Sequence, residues 1–318
     1  MKKYLITTSA DDRFAPGVAV LLHSLKKHMT RLEECDIKVF YTNLSEESRK
    51  LISSVKQDVI FEKPKNFDFC KGINTLYGKN NQDTYLCFHA FRQDMYEKVI
   101  CLDSDMMCIG DISPLLDYSD PMLASFCRKP MNFTERNHPN GCDKFNAGFM
   151  VINKQNLEGH RTYNRLVEIV KSVNKGVDPD LVQFSQQYKI RGKKSTTFND
   201  QDVIKMYWNS NPVRILPDWY NFKYWGGLSG NATILEDNKK LINFFDKNLD
   251  KIKIVHYSGK RKPWGNKTKR DDGFNGMYDV CSVGDAEPML GVKAVDMWHD
   301  YYEECFGTTC ETDWYHRR

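Results

Sequence analysis

The chain has 318 residues, 28% of them charged, with 46 Lys and Arg against 42 Asp and Glu for a net charge of +4. That length supports one large or two modest domains with a sizeable core, and so small a charge excess gives no footprint for nucleic acid. No apolar run approaches the roughly 18 residues of a membrane span. The apolar stretch behind Lys2-Lys3 breaks at Thr7-Thr8, too early for a secretory signal, so the expectation is a cytoplasmic protein without a transmembrane segment.

Tyr4–Thr7 is a short β-rich run. Pro16 then suits the first turn of a helix, on which Val18, Leu21, Leu22 and Leu25 form one apolar face. Ile37–Tyr41 predicts the next strand. Ser45 can cap a following helix with Glu46 and Glu47 in its first turn and Leu51, Ile52 and Val55 as its buried stripe. Val59–Phe61 predicts a third strand. Strands alternating with helices at this pace indicate βαβ units and a parallel sheet. Residues 64–82 are loop-like, a helix is predicted from about Thr84 to Tyr96, and Lys98–Leu102 is the strongest strand signal in the chain. Beyond it the pattern is mixed. Strands are expected at Met122–Phe126, Phe149–Ile152, Val213–Leu216 and Ile252–Tyr257, and helices at Arg161–Val173 and Asp202–Trp208. No low-complexity linker or repeat divides the chain. Residues 1–270 are expected to form a catalytic domain, with 271–318 a helical extension packed on it.

The ten cysteines include no CxxC pair, which argues against a zinc ribbon. Cys87, Cys101, Cys108 and Cys127 lie in or beside apolar segments, where a free thiol behaves as a small hydrophobe. In a reducing compartment only Cys305 and Cys310 are placed to invite a disulfide.

Four clusters carry chemistry. The strand ending at Leu102 runs into Asp103-Ser104-Asp105. Ligands of open α/β sheets bind beyond the carboxyl ends of strands, and carboxylates at i and i+2 can converge on a hard divalent cation that grips a diphosphate. The same residues also fit a plain turn. A second strand ends in His256-Tyr257-Ser258-Gly259-Lys260-Arg261-Lys262-Pro263-Trp264. There an imidazole can ligate a metal, Gly259 can let a backbone N–H approach a phosphate, and Lys262 can neutralise phosphate charge; a core histidine and a solvated basic face fit equally. The third cluster, Asp143 to Met150, contains Asn146, Ala147 and Gly148, small or polar residues that read as a turn entering a strand or as a sugar contact. In the fourth, Phe198-Asn199-Asp200-Gln201-Asp202, Asp200 is either a helix cap or a carboxylate presented at a helix start.

Together these clusters resemble glycosyltransferase family 8, the group that contains glycogenin, bacterial lipopolysaccharide glucosyl- and galactosyltransferases and plant galactinol synthases. The likeness starts at Thr7-Thr8 and the Leu21–Leu25 helix, passes through Asp103-Ser104-Asp105, Phe145-Asn146-Ala147-Gly148 and Asp200-Gln201, and ends with the His256–Trp264 run. The resemblance implies a single-domain α/β GT-A fold, a Rossmann-like mixed sheet flanked by helices with a less regular C-terminal half. It implies transfer of glucose or galactose from a UDP-sugar to a carbohydrate or glycoconjugate acceptor with retention at the anomeric carbon, and a Mn²⁺ cofactor, with Mg²⁺ as the alternative ion. By matching position, Asp103, Asp105 and His256 would ligate the metal. Gly259 and Lys262 would hold the diphosphate, Thr7, Thr8 and Phe14 would lie near the uridine, and Ser104, Asp143, Asn146, Ala147 and Gly148 would line the donor site. Asp200 and Gln201 would act at the sugar. One departure stands out: the family's usual Lys or Arg on the helix before the DxD strand is replaced by Cys87, with Arg92 on the same segment but not at the matching turn. The alternatives kept open are a self-glucosylating primer protein, for which Tyr207, Tyr220 and Tyr224 are candidate acceptors, and a phosphatase of the haloacid dehalogenase type. Assembly into an oligomer is compatible with the sequence.

Overall fold

The structure, a computed structural model, describes residues 2–65, 67–71, 82–126, 134–142, 144–157, 160–175, 199–223, 243–258, 262–264 and 293–310. Asp143, Gly259, Cys127, Tyr224 and most of the expected 64–82 loop lie outside the described residues.

An eight-stranded sheet runs in the order β3-β2-β1-β4-β8-β6-β9-β7. Its first wing is parallel and regular: β1 (Tyr4–Ser9) pairs with β2 (Cys35–Phe40) and with β4 (Lys98–Leu102), and β2 pairs with β3 (Val59–Glu62). Side chains alternate across the strands. Ile6, Ile100 and Leu102 face one apolar cluster with α1 (Ala15–His28) and α2 (Glu46–Val55); Leu5, Val99 and Cys101 face the other. Helix α2 begins as expected, with Ser45 Oγ accepting from the Ser48 amide at 3.2 Å, a cap worth about 1 kcal/mol.

The predicted helix near Thr84 forms instead as 3₁₀ turns over Gln82–Arg92. Tyr85, Leu86, Cys87, Phe88, His89, Ala90 and Phe91 are all buried there, so the segment is enclosed on every side rather than laid down by one apolar stripe. It covers the second face of the sheet together with α3 (His160–Lys175) and α4 (Asp200–Trp208).

The other wing is mixed. β8 (Phe145–Asn153) is antiparallel to both β4 and β6 (Met122–Phe126), while β6 runs parallel to β9 (Val213–Leu216), whose far edge takes β7 (Arg136–His138) antiparallel. β8 starts four residues earlier than the sequence predicts, so Asn146, Ala147 and Gly148 belong to a strand and not to a turn. The strand is bulged there: Ala124 pairs with Met150, but Ser125 pairs with Asn146. A bulge re-aims side chains out of the ladder.

A second, three-stranded sheet has the order β10-β11-β5, from Phe222–Lys223, Ile254–His256 and Met106–Cys108. It carries an apolar cluster in which Trp264 meets Trp298 of α5 (Lys293–Phe306) at a centroid distance of 5.4 Å. Helix α5 also reaches α1, where Lys27 Nζ and Glu304 Oε1 are 2.8 Å apart. Among the described residues no disulfide joins Cys305 to Cys310, and no helix among them is long and apolar enough to cross a membrane.

Candidate metal and donor site

The turn Asp103-Ser104-Asp105 is the crossover between the two sheets: β4 ends at Leu102 in the large sheet and β5 starts at Met106 in the small one. β11 pairs antiparallel with β5 and sets His256 opposite Met106, and the Tyr257 amide donates to the Asp105 carbonyl at 2.8 Å. That register brings a histidine from 151 positions later in the sequence to the aspartate turn. His256 Nε2 lies 3.2 Å from Asp105 Oδ1 and 3.6 Å from Asp103 Oδ2. One ligand atom from each of the three residues falls within 4.8 Å of the others. Two carboxylate oxygens and an imidazole nitrogen are a donor set that suits Mn²⁺ or Mg²⁺ better than a soft ion.

The backbone keeps space for such an ion. The Asp103 amide donates to the Gly148 carbonyl at 2.8 Å, which ties the bulge of β8 to the turn. A Cβ on Gly148 would stand 2.4 Å from Asp103 Oδ2 and 2.9 Å from His256 Cε1. Gly17 on α1 does the same beneath the turn, where a Cβ would meet the Ser104 carbonyl oxygen at 2.4 Å and the Trp264 ring at 2.6 Å.

The two aspartates differ in how readily they ionise. Burial and the neighbouring Asp105 raise the Asp103 carboxyl to about 6, although its side chain is 48% accessible from the cleft. Burial would raise Asp105 too, but Lys262 and His256 outweigh it and hold that carboxyl well below the usual range. Lys262 Nζ donates to Asp105 Oδ2 and, at 2.9 Å, to the Tyr257 carbonyl. Phe14 packs edge-on against Trp264 at 5.8 Å, with Lys262 Nζ 5.7 Å from its ring. The hydroxyls of Thr8 and Ser258 are buried without a hydrogen-bond partner, which is unusual for polar atoms in a folded chain and fits a site built for a polar ligand. Thr7, which pairs with Cys101 across β1 and β4, is likewise buried.

Asp200 is the first residue of α4; Asn199 holds the cap position, its amide donating to Asp202 Oδ2 at 3.1 Å. The cap reading of Asp200 is therefore corrected by one residue. The Cys87 thiol donates to Asp200 Oδ2 at 3.5 Å. Burial, with the charge of Asp103, pushes the Asp200 carboxyl up to about 7, and burial beside Asp200 raises the Cys87 thiol well above its ordinary value. Arg92 does not stand in for the missing cation: its guanidinium lies over the Tyr163 ring at 5.5 Å and lines a cavity of about 570 Å³ with Asp68, Phe69 and Lys171.

Gln201 Oε1 accepts from Asn146 Nδ2 at 2.8 Å and from the Ala147 amide at 3.1 Å. One residue in this region escapes sequence reasoning. Asn221, fully buried ahead of β10, accepts from His256 through Oδ1 and donates through Nδ2 to Asn146 Oδ1, each at 2.8 Å. Its neighbours Trp219 and Phe222 pack on other aromatic rings: Trp219 stacks on Phe244 at 5.8 Å, and Phe222 is buried against Phe245.

The sequence profile described as Glycosyl transferase family 8 matches residues 5–268. The chain belongs to that family. Among curated relatives, this family 8 chain is similar to Glycogenin-1 of Mus musculus, 22% identical over 263 residues that cover 81% of this chain and 64% of the mouse protein. It is also similar to the lipopolysaccharide glucosyltransferase WaaO of Escherichia coli K12, 24% identical over 176 residues, 52% of this chain and 44% of that protein. The chain thus spans less than two thirds of either relative. Among solved structures it resembles the glycosyltransferase GlyE of Streptococcus pneumoniae TIGR4, with a TM-score of 0.57, 17% identity, and coverage of 95% of this chain and 60% of that one. The galactosyltransferase LgtC, solved with donor and acceptor sugar analogs, gives a TM-score of 0.52 at 16% identity and covers 94% of this chain and 95% of its own. These neighbours identify the architecture as GT-A.

Proposed function

We propose that this family 8 chain transfers a hexose, glucose or galactose, from a UDP-sugar to a carbohydrate or glycoconjugate acceptor, with retention of anomeric configuration and dependence on Mn²⁺. The observation that carries the reading is the meeting of Asp103, Asp105 and His256 at the crossover between the two sheets. A divalent ion bound there supplies Lewis acidity toward a diphosphate leaving group. Asp103, Asp105 and His256 would hold it, and Lys262, already paired with Asp105, adds fixed positive charge next to the developing negative charge. The unpartnered hydroxyls of Thr8 and Ser258 offer hydrogen bonds to the nucleotide, with Thr7 and Phe14 at the same edge. Gly259 and Asp143 are assigned to the diphosphate and the sugar by family position alone.

At the sugar, positive charge grows on the anomeric carbon as its bond to phosphate breaks. Gln201 turns Oε1 inward to Asn146 and Ala147, so the reading gives the charge-stabilising role to Asp200 and a positioning role to Gln201. The side-chain amide of Gln201 is a poor nucleophile, which favours attack from the leaving-group face over a covalent intermediate. Self-glucosylation is the second reading, supported by the likeness to Glycogenin-1. Tyr207 contributes little to it: its ring packs on Trp208 at 4.5 Å and its hydroxyl lies 3.2 Å from Thr162. We place residues 1–270 in the catalytic domain, count α5 as an extension of it, and put the protein in the cytoplasm. The test is a panel of UDP-sugars assayed for hydrolysis with Mn²⁺ and with a chelator. One hexose donor consumed only with metal is the expected result; no metal-dependent turnover of any donor overturns the reading.

A further inference from the structure

The structure assigns to Asn221 a positioning role: it is the last link of a polarised amide relay that fixes which nitrogen of His256 carries the proton. The inference rests on the metal-site reading above and extends it to a residue outside the ligand set.

Side-chain amides have two ends of similar shape, so their orientation must come from their partners. Here two backbone amides decide it. The Gly148 amide donates to one end of the Asn146 side chain at 3.2 Å, and the Ala147 amide donates to one end of Gln201 at 3.1 Å. A backbone N–H can only donate, so both ends must be oxygen. Asn146 then presents Nδ2 to Gln201 Oε1 at 2.8 Å, as the acceptor there requires. Its oxygen also faces Asn221, whose near end must be Nδ2, again at 2.8 Å. That leaves Asn221 Oδ1 toward His256 Nδ1 at 2.8 Å. An amide oxygen accepts, so His256 Nδ1 must carry a proton and donate. In the neutral ring Nε2 is then the lone-pair nitrogen, and it is Nε2 that faces Asp103 and Asp105.

The relay opposes a local pull. Asp105 Oδ1 at 3.2 Å from Nε2 would itself accept a proton from that nitrogen, which would give the tautomer unable to bind a cation. Asn221 and His256 are both buried, at 0% and 3% exposure, so bulk water does not offer Nδ1 a substitute acceptor. Partners of this kind orient a ligating histidine, and their loss typically costs 10–100-fold in metal affinity. The same chain of amides ends on Gln201 at the start of α4, and so links the placement of the metal ligand to that of the sugar-facing residues.

The test uses the full chain, metal-free, with ¹⁵N-labelled histidine. Nitrogen-detected NMR of the neutral His256 ring should show the proton on Nδ1. Asn221→Ala should move it to Nε2, toward Asp105, and weaken Mn²⁺ binding measured by calorimetry by about 10–100-fold. Asn221→Asp keeps an acceptor for Nδ1 while setting an oxygen against Asn146 Oδ1. It should retain the Nδ1 proton and most of the Mn²⁺ affinity, and raise KM for the donor through Asn146. Circular dichroism on each variant checks the fold. A wild-type ring with its proton on Nε2 overturns the assignment, as does an Asn221→Ala chain, folded, that binds Mn²⁺ as tightly as the wild type. A wild-type chain that carries the Nδ1 proton but binds no Mn²⁺ overturns the metal reading and leaves the relay standing.

Discussion

The parallel wing of β1 to β4 and the β5–β11 sheet with the bulged start of β8 do different jobs. In the first, register runs unbroken from Tyr4 through Ser9 against β2, and the side chains alternate between two apolar layers. It delivers Leu102 to the edge of the cleft, and its own polar atoms there are the hydroxyls of Thr7 and Thr8 at the end of β1. In the second, strands are two or three residues long and β8 loses its register. Yet that irregular region supplies His256 and Asn221, as well as the carbonyl of Gly148 and the side chain of Asn146. Regular pairing makes a platform, whereas breaks in pairing aim atoms at a ligand.

Substitutions should separate the two regions. The largest effect is expected at the crossover itself. Asp103→Ala removes a half-accessible carboxylate and Asp105→Asn keeps an acceptor for Lys262, so both should fold; steady-state kinetics should show donor turnover falling roughly a thousandfold or more, about 4 kcal/mol at tenfold per 1.4 kcal/mol. Next comes Gly148→Ala, whose methyl group would collide with Asp103 Oδ2 and His256. Mn²⁺ affinity should drop on the order of 10–100-fold, with little change in the midpoint of thermal unfolding.

A smaller effect concerns pH. Burial raises Asp103 to about 6 and Asp200 to about 7, against about 3.9 for an unfolded aspartate. Between those values the folded chain binds more protons than the unfolded one, so stability falls as pH rises through the window. Their contribution, read as the difference in melting temperature between the metal-free wild type and the Asp103→Asn/Asp200→Asn chain, should therefore decline from pH 5 to 7.5 against the opposite slope of His89, which burial lowers to about 4, and Mn²⁺ should flatten that decline by favouring the ionised Asp103. The smallest effect on turnover belongs to the platform. Ile52→Ala on α2 removes a fully buried side chain and should cost about 2–5 kcal/mol of stability, read by denaturant unfolding, while turnover per folded molecule stays unchanged.

The same division governs what the sequence reveals. Strands β1 to β4, helices α1 and α2 and the Ser45 cap follow from periodicity and local capping, because each is set by neighbours a few residues away. The Asp103–Asp105 turn and His256 are visible as polar residues leaving apolar strands. The Asn146 cluster is visible as chemistry but misplaced as a turn, since a bulge depends on pairing with β6 and β4 that no local pattern encodes. The 3₁₀ turns of Gln82–Arg92 replace the predicted helix because burial on all sides, not one stripe, shapes them. Asn221 has no local signature: it is a lone asparagine among aromatics, and only the pairing of β10 with β11 sets it beside His256. Cys87 marked a departure from the family, but its contact with Asp200 113 positions away required the fold.

The central claim is that two aspartates of one turn and a histidine 151 positions further along the chain hold one divalent ion. Calorimetric titration of the metal-free protein with Mn²⁺ tests it most directly, on the wild type and on Asp103→Asn, Asp105→Asn and His256→Gln. The account predicts one tightly bound ion per chain and a marked loss of affinity in each variant. Equal binding by the wild type and all three variants would contradict it.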